Sequence, residues 1–355
     1  MITLILFIFL LSLIIVVHEG GHLLAAKFFN VYCSEFSLGM GPKIFSKKFK
    51  ETEYSLRALP LGGFVAMAGD NDNALETSTD TSEIPYERTL NGIAKWKKII
   101  ILLAGIFMNF VLGYVIICIL LLNSGVYASS ASSTISEVID GYPAQQAGML
   151  AGDTITAIEI EGVSKIEVSN FDGLAYYIDA NTEGKDMIFT VERNGETLQL
   201  NVTPLYDEES QSYKVGISSS YNYEEVTLGN VFGFAWDQIV SLVSLIFLSL
   251  GQLLKGVGIE SVSGPVGIYS ATGQAASLGV SSYFYMIALI SINIGIMNLL
   301  PLPILDGGRV LLTLIEAIIR RPLSQKVEAA LMSISMLLIL ALFVFATFND
   351  VLRLF

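Results

Sequence analysis

The chain has 355 residues, of which 53% are hydrophobic and 15% charged, and its formal net charge is -13. A soluble domain is ~45–50% apolar and ~25% charged, so the composition points to a polytopic membrane protein with a polar insert. No basic stripe is present to neutralise phosphates, which argues against nucleic acid as a partner.

Residues 2–29 form an apolar run with no formal charge before Glu19. The run has no positive leader and no A-x-A site closes it, so a retained membrane anchor is expected. Its last part, "VVHEGGHLLAAKFF", holds both histidines of the chain. His18 and His22 are four apart, so they share one helix face and suit two imidazoles on one tetrahedral zinc. Glu19 lies ~100° round the helix from His18, within reach of a water that the metal activates. The alternative is a chance match with histidines satisfied by hydrogen bonds. That alternative leaves ionisable groups at membrane depth without a reason, at ~2.5–3.5 kcal/mol each on insertion scales.

Residues 30–98 are rich in Lys and Arg, and "EYSLRALPLGGFVAM" (53–67) alternates apolar and polar residues. A hairpin turning at Pro60-Leu61-Gly62-Gly63 is expected there. A second apolar run covers 99–122 and contains "AGIFMNF". Of the two cysteines, Cys33 follows the first run and Cys118 lies inside the second, so packing roles are expected and no disulfide.

The polar insert, 123–228, is long enough for one small domain. It opens on "ASSASST" (128–134), which reads as a flexible linker. "GYPAQQAGMLAGDTITAIEIEG" carries a turn, a short helix and a strand, and "NFDGLAYYIDANTEG" a second helix ending near Gly184. Asn194-Gly195 joins two alternating runs, a type I′ hairpin signal.

A third apolar run, 231–254, has a polar stripe of Asp237, Ser241, Ser244 and Gly251 at helical spacing. An amphipathic helix lying on the membrane fits it. Runs at 283–305 and 329–348 follow. The first ends in "NLLPLPILDGGRV", where Pro301 and Pro303 break the helix. Broken helix at membrane depth must line a cavity. Asp306 is thus the best candidate for a third zinc ligand. The alternative places Asp306 at an interfacial helix end with Arg309 as its partner.

These motifs, in this order, resemble the site-2 protease family of intramembrane zinc metalloproteases, in its bacterial RseP/RasP-type branch. The resemblance runs from the first apolar run to the C-terminus. It implies one zinc per chain held by His18, His22 and Asp306, with Glu19 as catalytic base. It implies cleavage of single-pass membrane proteins, such as anti-sigma factors or remnant signal peptides, in a bacterial inner (cytoplasmic) membrane. The family's second-helix motif A-G-P-x-x-N has Ile106 in place of proline, while Gly105 and Asn109 remain and imply close helix packing. A family lysine is replaced by Ala66. The edge formed by Gly62, Gly63, Phe64 and Val65 is then a place where an unwound substrate adds as a strand; an ordinary surface hairpin is the other reading. Asn298 either hydrogen-bonds substrate or a developing oxyanion, or tethers helices. The insert resembles a single PDZ domain, a module that captures peptide C-termini.

Zinc ligands from two helix ends must meet on one side of the bilayer. Lys and Arg concentrate in 30–98 and 306–328, which places these segments in the cytoplasm and the insert outside. The expected fold is therefore a four-helix polytopic membrane protein with an inserted α/β PDZ domain and a membrane-associated β-hairpin. Its parts are a membrane part (1–122), the extracytoplasmic PDZ domain (123–228), an interfacial helix and linker (229–282) and a second membrane part (283–355). The rival is a membrane scaffold whose metal is structural and whose PDZ domain binds peptides.

Overall fold

A computed structural model describes residues 2–70, 84–160, 165–168, 171–179, 181, 184–207, 212–254, 262–321 and 323–352. The chain begins with α1 (Ile2–Phe28), β1 (Cys33–Phe49), β2 (Thr52–Met67) and α2 (Lys95–Ser124). There follow β3 (Val126–Val138), α3 (Pro143–Gln146), β4 (Thr154–Ile160), β5 (Ile166–Glu167), α4 (Phe171–Asp179), β6 (Met187–Arg193) and β7 (Glu196–Val202). The remainder is β8 (Leu205–Asp207), β9 (Ser212–Lys214), β10 (Ile217–Glu225), α5 (Val231–Leu254), α6 (Pro265–Leu278), α7 (Val280–Asn298), α8 (Asp306–Ile319) and α9 (Gln325–Leu352). Among the described helices, α1, α2, α5, α7 and α9 are long and apolar enough to cross a membrane. The chain divides into two compact units, Met1–Leu120 with Ser263–Phe355, and Leu121–Val262.

In the first unit, β1 and β2 form one long hairpin. It turns at Lys50 and Glu51, with Lys50 at φ 55°, and not at Pro60–Gly63 as expected. The glycines there serve a different geometry. The sheet curls, so Glu35–Leu38 pairs with Glu53–Leu56 on one side and with Gly63–Ala66 on the other. Gly39 permits the curl: its φ is 86°, and a Cβ would stand 2.5 Å from the Leu59 carbonyl oxygen. Buried Glu35 fastens these strands through Arg57 at 2.9 Å and Lys43 at 3.1 Å. The returning strand is pinned to the membrane helices by an apolar cluster. Val65 and Met67 pack there with Leu23 and Ala26 of α1, Ile101 of α2, and Val31, Cys33 and Leu90. Burial pushes the Cys33 thiol up to about 12.

The run expected at 283–305 is divided. α7 stops at Asn298, residues 299–305 turn, and Asp306 opens a separate helix, α8. A helix also covers Pro265–Leu278, within the stretch expected as a linker. The small residues of α6 give no strong pattern. Its start is held instead by the buried Asp350 of α9, whose Oδ2 accepts from the Gly267 amide at 2.7 Å. Phe7 of α1 meets Tyr269 of α6 edge to face at 5.8 Å, so α6 contacts the end of α1 opposite the histidines.

The second unit is a sheet of order β10-β3-β4-β6-β7, with β5 on β4, and all its pairs are antiparallel. The β6–β7 turn is the expected one, with Asn194 and Gly195 both at positive φ. The core packs Ile135, Ile155, Ile158, Phe189 and Val191 against Leu174 of α4. "ASSASST" is not a linker: it lies in β3, where Ala128, Ser129 and Ser130 pair with Tyr223, Asn222 and Tyr221 of β10. Tertiary pairing overrides the weak strand preference of these small residues. α4 ends at Asp179, earlier than expected; residues 180, 182 and 183 lie outside the described residues. Contacts of α5 with this unit include an aromatic stack and a core contact. Phe234 stacks on Tyr127 at 4.5 Å, and Leu248 packs against the sheet's core.

Candidate active site

His18, Glu19 and His22 sit in the C-terminal half of α1, and Asp306 at the first turn of α8. The structure brings three donor atoms together. His18 Nε2 and His22 Nε2 are 3.2 Å apart, and Asp306 Oδ2 is 3.1 Å and 3.3 Å from them. A tetrahedral cation with ~2.0–2.1 Å bonds holds its donors ~3.3 Å apart, so the trio fits three corners of a tetrahedron. Asp306 Oδ2 is buried and makes no well-formed hydrogen bond despite these neighbours. Three lone pairs converging on one point have that signature. Among the described residues this is the group of His, Cys, Asp and Glu side chains able to share a metal.

The sequence around each donor explains its place. His22 is 6% exposed and donates Nδ1–H to the Ile101 carbonyl of α2 at 2.8 Å, which leaves Nε2 as a lone pair. Helices α1 and α2 approach closely because both carry small residues at the contact. A Cβ on Gly21 would lie 2.4 Å from the Ala104 carbonyl oxygen, and one on Gly105 2.4 Å from His22 Nε2. Asp306 is delivered by the turn that Pro301 and Pro303 impose after α7. That turn folds so tightly on α8 that a Cβ on Gly307 would meet the Leu299 oxygen at 2.3 Å, and one on Gly308 the Leu302 carbonyl at 2.1 Å. The two glycines after Asp306 are thus a packing requirement. Arg309 pairs with Asp70 at 2.5 Å, while the Asp306 carboxylate faces the imidazoles.

A cavity of about 530 Å³ opens beside the donors. Its walls include Glu19, the strand Gly62–Val65 and Asn298. Gly63 rides directly over α1, where a Cβ would lie 2.9 Å from Ile15 Cγ2 and 3.4 Å from Glu19 Cγ. Asn109 is fully buried, 3.3 Å from His18 Nδ1. Sequence reasoning took Asn109 as a packing residue of α2 and missed this contact, and it had no side-chain signal for the Ile101 carbonyl.

The profile of peptidase family M50 matches residues 6–342. The chain is 35% identical over 343 residues to a Clostridium perfringens protein provisionally named a zinc metalloprotease, covering 96% of each. It is 32% identical over 426 residues to the zinc metalloprotease RasP of Shouchella clausii, covering 99% of each. It is 31% identical over 425 residues to the regulator of sigma-W protease RasP of Bacillus subtilis, again covering 99% of each. The chain belongs to peptidase family M50, the site-2 proteases, and is a multi-pass membrane metalloprotease of that type.

Proposed function

We propose that this chain is a zinc-dependent intramembrane endopeptidase that cuts the membrane segments of single-pass proteins, with anti-sigma factors and remnant signal peptides as candidate substrates. The carrying observation is one cavity that holds His18, His22 and Asp306 beside Glu19 and a strand edge. The three donors hold one zinc per chain. When bound, zinc supplies a Lewis acid and lowers the pKa of a water there. Glu19 takes the proton of the attacking water and later gives it to the leaving amine. Gly62, Gly63, Phe64 and Val65 receive the scissile segment as an added strand, so the substrate helix must unwind first. Asn298, at the end of α7, donates its amide to substrate or to the developing oxyanion. The scaffold reading is disfavoured because a structural zinc is closed by four protein ligands, and the described group offers three.

The second unit is read as a PDZ domain outside the cytoplasmic membrane of a bacterial cell, where it takes a peptide C-terminus. Four helices cross: α1, α2, α7 and α9. The ends of α1 and α7 lead into one site, so these helices run in the same direction. After α2 returns outward, α5 must stay outside. Its contacts through Phe234 and Leu248 along its own unit support that placement. So does α6, which meets α1 near Phe7.

Purified enzyme co-reconstituted in lipid vesicles with a single-pass substrate tests the reading. Fragments should end inside the apolar segment, vanish with a zinc chelator and return with zinc. Cleavage confined to flanking loops, or indifferent to the chelator, overturns it.

A further inference from the structure

Helix α2 faces the two histidines with one stripe, Ile101, Gly105 and Asn109, spaced i, i+4 and i+8. The Ile101 carbonyl takes the Nδ1 proton of His22 at 2.8 Å. Gly105 leaves room for both rings. Asn109 meets Nδ1 of His18 at 3.3 Å through Nδ2, while its Oδ1 is buried without a hydrogen-bond partner among the described residues. The two ends of a carboxamide are alike in shape, so which end faces the ring is decided by hydrogen bonding. An N–H aimed at His18 Nδ1 forces the ring proton onto Nε2. Nε2 would then present a proton to Asp306 and His22 instead of a lone pair. The opposite orientation gives both imidazoles an acceptor on α2 and frees both Nε2 atoms.

We propose that Asn109 is a positioning residue for His18: its carboxamide oxygen accepts the His18 Nδ1 proton and so fixes Nε2 as the lone pair that faces the metal. This rests on the metal reading above. Partners of this kind set the tautomer and basicity of a ligating histidine. Asn109 separates this role from helix tethering by atom. Its backbone carbonyl, not its side chain, accepts the Ser291 hydroxyl of α7 at 2.9 Å. Side chain and tether can therefore be removed independently.

The test is zinc affinity of the full-length protein in detergent, read by competition with a chromophoric chelator. Asn109→Ala should weaken zinc binding ~10–100-fold. Asn109→Asp keeps an acceptor and should bind within a few-fold of the unaltered protein. Ser291→Ala should leave the affinity unchanged. Zinc held by Asn109→Ala as tightly as by the unaltered chain overturns the proposal. So does Asn109→Asp as weak as Asn109→Ala, or Ser291→Ala as weak as either. A chain that binds no zinc at all removes the metal reading itself, and this inference with it.

Discussion

Gly105 of α2 and His22 of α1 stand so close that any side chain at Gly105 would occupy the space of the imidazole: a Cβ there falls 2.4 Å from Nε2. The same Cβ would lie 2.9 Å from Cε1 of His18. Contacts this short oblige either the helix or both rings to move. Gly105→Ala should therefore disturb the donor trio without altering any donor. A misplacement of ~1 Å costs on the order of 10²-fold in rate. Turnover of a model substrate should fall by about that factor, with zinc content reduced. An Ala variant with full zinc and ordinary turnover would show that α2 can retreat freely.

Glu19 lines the cavity and does not belong to the donor trio. Glu19→Gln should keep zinc and fold while peptide cleavage drops. General-base removal costs ~10²–10⁴-fold. Asp306→Ala should instead lose the metal, because two imidazoles alone remain. Elemental analysis separates the two variants. A Gln variant that cuts within tenfold of the unaltered enzyme removes Glu19 from the role of base, and full zinc in the Ala variant removes Asp306 from the donor set.

The gathering of these side chains was legible because much of it is local. His18, Glu19 and His22 lie within one turn of helix, and ionisable groups in an apolar run stand out. Asp306 was legible through its prolines, since a broken membrane helix needs a reason. What escaped was tertiary. Gly62-Gly63 has the look of a turn, yet here it lets the returning strand of a curled sheet pass close over α1. The true turn at Lys50-Glu51 carries no glycine or proline. "ASSASST" has linker composition, but pairing with β10 makes it a strand. The start of α6 is held by Asp350, more than eighty residues away, which no local pattern can show. The Ile101 carbonyl is backbone and leaves no trace in residue type.

Asp153 of the second unit explains the Gly-Asp that follows its short helix. Arg193 donates Nε to Oδ1 and Nη2 to Oδ2, each at 2.7 Å, and also Nη2 to the Gly148 carbonyl. This pairing holds the Asp153 carboxyl below the usual carboxylate range. A lowered folded value stabilises above the unfolded pKa of ~3.9, and the contribution is lost as pH falls through the folded value. Arg193→Met should thus speed hydrogen exchange in β4 and β6 at neutral pH. After correction for intrinsic exchange rates, the difference from the unaltered chain should shrink below about pH 4. A difference that grows on acidification would contradict the assignment.

The placement of α5 decides the topology, because α5 is apolar enough to cross and yet is proposed not to. If it crossed, α7 would run from the cytoplasm outward, and Asp306 would arrive on the side opposite His18 and His22. The proposed placement of α5 rests on this relationship, since His18 Nε2 and Asp306 Oδ2 stand 3.1 Å apart. Single cysteines read by an impermeant thiol reagent in intact cells test the count. The two native thiols are buried, and the Cys33 thiol is pushed up to about 12, so they give little background. A cysteine at Asn201 in β7 should react. Cysteines at Lys47 in β1 and at Arg320, just after α8, should react only once the cells are opened. Labelling of Arg320 in intact cells alongside Asn201 would put a crossing at α5. It would then require the donor trio to assemble some other way. Labelling at Lys47 and Arg320 in intact cells, with Asn201 protected, would instead place the second unit in the cytoplasm and reverse the whole orientation, leaving the trio intact but its access from the other face of the membrane.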